Sequence, residues 1–280
     1  MTIKDKPDLQ SWIGQEMILE DKLRLEPAHF MQATLDRKPS LNAGDPLPPL
    51  WHWLYFLEAK PISELGREGH PKTGRFLPPV ELPRRMWAGG RFEFINPLVL
   101  GKKATKHSTI TSVMEKEGRS GKLCFVTIKH NICQEAQSAV IEEHDIVYRE
   151  DPLPGAPKSE PKPTSVLVDF SETIHPSVVR LFRYSALTFN GHRIHYDVDY
   201  ARNVEGYEGL VFHGPLTATL LIDLALRQIG KQPKQYSFRA LAPIAGIKPF
   251  EIAGKEVDDS LDLWALRNDG VIAMSAQVVF

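Results

Sequence analysis

The segment that most constrains the fold is PLTATLLIDLALRQI, Pro215 to Ile229, which is apolar around most of a helical circumference. A helix of this kind is stable only when other elements cover it on nearly all sides. Gly230 follows it, where a glycine commonly ends a helix. Four strand-like segments come next, separated by Pro, Gly and Asp turns. The simplest assembly is a central buried helix wrapped by a long antiparallel sheet, and the predicted class is α+β.

A proline-rich stretch divides the 280-residue chain almost in half. Residues 151–164, DPLPGAPKSEPKPT, contain five prolines, which predicts an extended, solvated linker between residues 1–150 and residues 165–280. Each half shows the same rough order of an opening strand, a helix, an irregular stretch, an apolar helix and several long strands. The order indicates a duplicated unit. In the first half, the helix that would match Pro215–Ile229 is predicted at Leu47–Ala59.

Other elements of the second half are predicted from local signals. Ser165–Thr173 has the composition of a strand, and Pro176 fits the first position of the helix that follows. The segment TFNGHRIHYD, residues 188–197, is polar and fits neither the helical nor the strand period, which predicts a loop. Asp197 at its end has the character of a helix cap. The strands expected in the first half are RFEFINPLVLG, KHSTITSVMEKEG, KLCFVTIKHNICQ and AVIEEHDIVYRE.

Composition narrows the class of protein. The chain is 42% hydrophobic and 25% charged with a formal net charge of -1, so it can bury a core and has no overall field that attracts nucleic acid or anionic lipid. Cys124 and Cys133 lack metal-ligand spacing, which argues against a structural metal or a disulfide framework. The start has no signal-peptide pattern, and no run of 18 apolar residues occurs. A cytoplasmic protein that binds neither nucleic acid nor membrane is expected.

Two strings resemble the MaoC-like family: FRYSALTFNGHRIHYD, residues 182–197, and VFHGPLTATLL, residues 211–221. The family pattern runs Ser-Ala-Leu-Thr-Gly-Asp-x-Asn-Pro-Ile-His, and later has His-Gly at the start of the central helix. The resemblance implies a double hot-dog fold, in which each unit is a helix wrapped by a curved antiparallel sheet, and R-specific enoyl-CoA hydratase or dehydratase activity. The positions that keep the pattern are Ser185, Ala186, Leu187, Thr188, Ile194, His195, Asp197, Ala201, His213 and Gly214.

A third string, LPRRMWAGGRFEF at residues 82–94, is similar to a subgroup that contains mesaconyl-C4-CoA and itaconyl-CoA hydratases and a mitochondrial hydroxyacyl-thioester dehydratase. The resemblance implies a hydro-lyase that hydrates a short dicarboxylic enoyl-CoA, itaconyl-CoA or mesaconyl-C4-CoA, to citramalyl-CoA. One alternative is a 3-hydroxyacyl-thioester dehydratase for longer acyl chains. A non-catalytic acyl-CoA-binding protein and a thioesterase are further alternatives, since the fold alone does not settle function.

Hydration of an enoyl thioester needs a group that takes a proton from water, a donor to the α carbon and stabilisation of charge on the thioester oxygen. His195 is predicted to be the catalytic base and acid, because imidazole exchanges protons near neutrality. The resemblance places a catalytic Asp where this chain has Asn190. An amide cannot take the proton but can orient the water through its oxygen. Gly214 is assigned the N–H that stabilises the enolate. Asp197 either helps or caps a helix, and the cap is preferred.

Substrate contacts are predicted from charge and position. Arginines beside a Trp and a Gly pair could hold CoA phosphates or a substrate carboxylate. By resemblance, the first half is a degenerate hot-dog that shapes the acyl pocket or contacts CoA. No cofactor is expected, since CoA is part of the substrate, and formation of a homodimer is left open. The predicted substrate-binding residues are Arg84, Arg85, Arg91, Arg193, His192 and His213.

Overall fold

The computed structural model describes residues 7–118, 121–151 and 162–280. Their strands form one antiparallel sheet. The strands are β1 (Glu16–Lys22), β2 (Arg84–Phe94), β3 (Lys103–Gly118), β4 (Gly121–Gln134), β5 (Gln137–Arg149), β6 (Phe170–Ile174), β7 (Gln235–Ala240), β8 (Phe250–Val257), β9 (Ser260–Arg267) and β10 (Ile272–Val279).

The order across the sheet is β1-β3-β4-β5-β2-β7-β10-β9-β8-β6, so the two halves of the chain meet where β2 pairs with β7. Strands at equal distance from this junction occupy corresponding places in chain order, as a duplicated unit requires. The division at residues 151–164 stays a prediction, because residues 152–161 lie outside the described part of the chain.

The predicted central helix of the second half is confirmed. It is α4, Gly214–Ile229, and Gly230 ends it in the left-handed conformation at φ 70°. Its side chains are buried along most of its length, and it packs against β7, β8, β9 and β10. The other helices are α1 (Leu25–Thr34), α2 (Val178–Leu187) and α3 (Val198–Asn203), and single 3-10 turns occur at Leu9–Trp12, Trp51–Leu54, Ile62–Glu64 and Arg193–His195.

The helix predicted at Leu47–Ala59 is wrong. This segment contains only the 3-10 turn Trp51–Leu54. Pro48 and Pro49 cannot donate the backbone hydrogen bonds of a helix, and Leu50 adopts a left-handed φ of 68°. Among the described residues of the first half, no helix takes the place that α4 has in the second half. The concave face of β3, β4 and β5 therefore faces a cavity.

Two smaller expectations are corrected and one is confirmed. The strand predicted from Ser165 starts at Phe170, and Pro176 precedes the N-cap Ser177 instead of occupying the first helical position. Asp197 caps α3, as expected, by accepting a hydrogen bond from the Tyr200 N–H. Within the ranges that the structure describes, no helix has the length and apolar character needed to cross a membrane.

Candidate active site

A cavity of about 930 Å³ lies between the two halves. Its wall combines the loop before α3, the start of α4, the inner faces of β2 to β5 and the turn at Trp51–Leu54. The residues predicted from the sequence that line it are His195, Asn190, Gly214, Arg84, Arg85 and His192. Those that lie outside its wall are Arg91, Arg193, His213 and Asp197.

His195 is held in one tautomer. Its Nδ1–H donates to the carbonyl oxygen of Val211 at 2.8 Å, since a carbonyl can only accept. The other ring nitrogen, Nε2, therefore carries the lone pair that can take a proton. Burial lowers the pKa of His195 to about 4, and the hydrogen bond to Val211 acts in the opposite direction. The imidazole is thus neutral at physiological pH and ready to act as a base.

His213 lies behind His195 instead of contacting the cavity, so the prediction that it binds substrate is not supported by its position. The two rings stack with centroids 3.6 Å apart and planes 18° from parallel. Nε2 of His213 is 2.9 Å from the Ser185 Oγ, which fixes the ring against α2. Burial, with His195 and His192 nearby, lowers the pKa of His213. His213 is therefore neutral, and its stacked ring holds the His195 ring in position.

Gly214 is the first residue of α4, where a backbone N–H has no acceptor within the helix and meets the positive end of the helix dipole. Pro215 beside it has no N–H at all. A Cβ built on Gly214 would meet nothing within 4 Å, so the glycine is not required for close packing. It leaves the cavity open in front of its own N–H, which suits a thioester oxygen that becomes negative.

Asn190 and His192 form a short local turn in the wall. The Asn190 Oδ1 accepts a hydrogen bond from the His192 backbone N–H at 3.0 Å. The amide oxygen that was expected to orient water is thus already bonded once, and the amide NH₂ group remains as a donor. His192 is buried, and burial, followed by the nearby His195 and Arg85 side chains, lowers its pKa to about 3. Its ring lies 5.5 Å from that of His195 between centroids.

A loop from the first half holds this wall in place. The Arg193 N–H donates to the Glu68 carbonyl oxygen at 2.9 Å. Gly69 packs backbone to backbone on Gly191: a Cβ on Gly69 would lie 2.0 Å from the Gly191 carbonyl oxygen, and Gly69 has a left-handed φ of 95°. Only a glycine fits there.

Gly69→Ala should therefore displace the catalytic loop. We expect kcat/KM to fall about 100-fold, because a shift of about 1 Å in a catalytic group has that effect. Steady-state kinetics and urea unfolding measure the two consequences. Gly44→Ala is the matched control, since Gly44 has the same φ of 95° with open space around its Cβ. Equal losses in both variants would show that backbone strain, and not loop contact, is responsible.

The arginines fall into two groups. Arg84 is buried, and its Nε lies 2.6 Å from the Glu205 carboxylate in an ion pair, so its charge is balanced inside the protein. Arg85 lines the cavity. Arg91 is outside the cavity and pairs with Glu143 at 2.7 Å and Asp145 at 2.6 Å. Any substrate contact by Arg91 would first have to break these ion pairs.

Arg193 and Asp197 form a structural pair at the base of α3. The Arg193 Nη2 donates to the Asp197 Oδ2 at 2.7 Å, and its guanidinium lies over the Tyr200 ring at 4.2 Å. Hydrogen bonds from the Tyr200 N–H and then from Arg193 lower the pKa of Asp197. With both residues outside the cavity wall, the geometry agrees with a helix cap for Asp197 and does not bring Arg193 to the substrate.

Sequence reasoning missed His70, which lies on the loop that supports the wall. Its ring is 4.6 Å from that of His192, and burial followed by the charge of Arg85 lowers its pKa. Neither a hydrophobic period nor a motif indicated this residue, because its loop reaches the site through backbone contacts between segments that are distant in sequence.

A polar cluster at the far end of the cavity was also missed. The Glu142 carboxylate accepts from His52 Nε2 at 2.9 Å and from Trp53 Nε1 at 3.1 Å. Burial alone would raise the pKa of Glu142, but the hydrogen bond from His52 and the nearby imidazoles of His130 and His144 lower it to about 2. His130 and His144 have donor atoms within 4.8 Å of the Glu142 carboxylate. Glu142 is thus hydrogen-bonded within the cluster, and the His130 Nδ1 lies 2.7 Å from the Ser108 Oγ.

The signal for this cluster was present in the alternation of the strands. His130 lies on the covered face of β4, in register with apolar residues. Glu142 and His144 lie two apart on β5, so they share one face. Polar residues on a covered strand face indicate a lined cavity or a buried network.

Comparisons with known proteins agree with this geometry. The family model for hydroxyacyl-thioester dehydratase type 2 matches residues 50–246. The chain is 45% identical over 275 residues to a mesaconyl-C4-CoA hydratase of Chloroflexus aurantiacus, covering 97% of both. A MaoC-like dehydratase from Phytophthora capsici superposes with a TM-score of 0.69 at 12% identity and 97% coverage of both chains.

A protein of Mycobacterium tuberculosis with a double hot-dog fold superposes with a TM-score of 0.57 at 11% identity, over 95% of this chain and 96% of that one. These two likenesses show the fold, and the family match together with the 45% identical relative shows the family. The chain belongs to the hydroxyacyl-thioester dehydratase type 2 family of MaoC-like hydro-lyases, and its fold is the double hot-dog.

Proposed function

We propose that this chain hydrates a short enoyl-CoA that carries a second, free carboxylate, and that mesaconyl-C4-CoA is converted to citramalyl-CoA. The observation that carries the proposal is that a neutral His195 and the open N–H of Gly214 face one cavity. The hydratase relative, identical at 45% of positions, supports this substrate class. Itaconyl-CoA, which would give the same product, is the second substrate to test.

One histidine, His195, performs both proton transfers. Nε2 of His195 takes a proton from water, and the hydroxyl forms a bond to the β carbon as the carbon–carbon double bond opens. The electron pair moves to the thioester oxygen, where the Gly214 N–H and the start of α4 stabilise the enolate. The enolate then collapses, and its α carbon takes the same proton back from the imidazolium. Water is added with no net proton change.

Asn190 orients reactants in this scheme without exchanging protons. Its Oδ1 is bonded to the His192 N–H, so its NH₂ group is the end available to the attacking water or the substrate. Relatives with a carboxylate at this position have a second proton carrier, whereas this chain relies on His195.

The direct test is a substrate panel with purified protein. Mesaconyl-C4-CoA should lose its enoyl-thioester absorbance, and the product should gain the mass of one water. Free thiol should not appear, which separates hydration from thioester hydrolysis. Tight binding of mesaconyl-C4-CoA with no turnover would contradict an enzymatic role on this substrate and support a binding protein instead.

The alternative of a dehydratase for long acyl chains is less well supported. A long alkyl chain extending to the far end of the cavity would lie against Lys106, His130 and Glu142. Polar and charged groups covered by an alkyl chain lose water without gaining partners. A chain-length series of 3-hydroxyacyl-CoA substrates tests this alternative, and rising activity with length would favour it.

The proposal needs no cofactor, since CoA is part of the substrate and the residues named above provide the proton transfers. A cytoplasmic location fits this substrate class, because CoA thioesters are made and used inside cells. Homodimer formation remains an expectation, which size-exclusion chromatography with light scattering would test.

A further inference from the structure

Arg85 differs from the other cations of the cavity wall. It lies on β2, is half-buried and lines the cavity. Within the described residues, no carboxylate lies at ion-pair distance from its guanidinium. Several other cavity-lining cations do have such a partner: Lys60 with Glu58 at 3.1 Å, Arg75 with Glu64 at 2.9 Å and Arg84 with Glu205 at 2.6 Å.

Arg85 also acts on the wall that carries the reacting histidine. Its charge acts on His70 and on His192, and the His192 ring lies 5.5 Å from that of His195. Lys106 and Arg149 also line the cavity, but their charges act on other side chains. Lys106 acts on His130 at the far end, and Arg149 acts on Tyr207. Arg84 acts on His192 as well, but it is paired with Glu205. Arg85 also acts on His144 of the far-end cluster. Among the described residues, Arg85 is therefore the cavity-lining cation that acts on His192 without an ion-pair partner of its own.

His192 offers a second hydrogen-bond donor on the same wall. The His192 side chain lines the cavity and is only 8% exposed. Its Nε2 is buried and has no hydrogen-bond partner among the described residues. Buried polar atoms of this kind normally have a partner, which a ligand can supply. A neutral imidazole can donate one hydrogen bond from Nε2, and a guanidinium can donate two in parallel.

We propose that Arg85 and the His192 Nε2 form a subsite for a carboxylate attached to the β carbon of the enoyl thioester. This inference rests on the proposed hydratase function. In such a substrate the carboxylate is one bond from the carbon that receives the hydroxyl. It must therefore lie beside His195, whose ring is 5.5 Å from that of His192, the residue on which the charge of Arg85 acts. A planar carboxylate matches the paired donors of a guanidinium.

The test compares two substrates that differ by this group. Mesaconyl-C4-CoA carries a methyl and a carboxylate on the β carbon, whereas crotonyl-CoA carries the methyl alone. Arg85→Met should lower kcat/KM for mesaconyl-C4-CoA about 100-fold or more, the loss typical of breaking a buried charge pair. Activity on crotonyl-CoA should stay within a few fold of wild type, and Arg85→Lys should fall between the two. Arg239→Met, at an exposed position of β7, is the control and should change neither.

Binding gives a readout that does not depend on turnover. In a His195→Asn background, calorimetry should show a dissociation constant for mesaconyl-C4-CoA that rises when Arg85→Met is added. The constant for butyryl-CoA should not change. Equal losses for both ligands would overturn the subsite and show a structural role for Arg85, and no loss for either would place the carboxylate elsewhere. A wild-type protein that binds mesaconyl-C4-CoA through Arg85 but hydrates neither substrate would defeat the proposed function and leave the subsite standing.

Discussion

His195→Asn should reduce kcat about 10³-fold or more, because one side chain performs both proton transfers and such groups contribute about 10² to 10⁴. The Asn side chain can still donate to the Val211 carbonyl oxygen, so that carbonyl is not left without a donor. The substrate should bind with a similar dissociation constant. Stopped-assay product analysis and calorimetry measure the two quantities.

Two variants complete this experiment. His195→Ala should lose the same activity and also some stability, because it leaves a buried carbonyl unpaired at a cost of about 1 to 3 kcal/mol. His175→Asn, at an exposed site, should match wild type in both assays. Turnover within tenfold of wild type in His195→Asn would show that another group takes the proton.

The protein should lose stability steeply as the pH falls below about 6.5, the pKa of histidine in the unfolded chain. Burial lowers the pKa of His130 and His195 to about 4 and that of His144 and His192 to about 3. Between these values and 6.5, the unfolded chain binds more protons than the folded one, so lower pH favours unfolding. Each such histidine contributes about 1.4 kcal/mol per pH unit.

Four of them acting together would remove most of a typical stability of about 5 to 15 kcal/mol within two pH units. Urea unfolding at pH 7.5, 6.5 and 5.5 measures the slope. Activity should show no separate titration near pH 6.5 and should disappear together with the folded state. His144→Gln should make the slope shallower by about one proton. A free energy of unfolding that is constant from pH 7.5 to 5.5 would refute this linkage.

Much of the second half could be predicted because its signals are local. The apolar run before Gly230 defined α4, and Asp197 stood where a helix cap belongs. His195 and Gly214 were identified by resemblance, and the structure places both in one cavity. The sequence did not show which of the predicted arginines face the cavity. Arg85 and Arg91 are six positions apart on one strand, yet only one of them faces the cavity.

The first half shows where local signals fail. Leu47–Ala59 has the apolar and aromatic content of a buried helix, but the two prolines and the left-handed backbone at Leu50 and Phe56 do not fit one. The polar cluster requires β4 and β5 to align in one register, with a turn placed over them. No short segment encodes that alignment. His70 depends on a backbone contact between distant glycines and left no pattern at all.

The first half has the single turn Trp51–Leu54 where the second half has the helix α4. Changes in the acyl pocket and changes in the catalytic residues therefore fall in different halves of the chain. Residues of the first half that line the cavity, such as Trp53 and Trp87, lie on elements other than α4 and the loop that carries His195. Acyl-group preference can then drift in one half of the chain while selection holds the chemistry constant in the other. Relatives that share a catalytic half but prefer different thioesters are the expected result of such asymmetry.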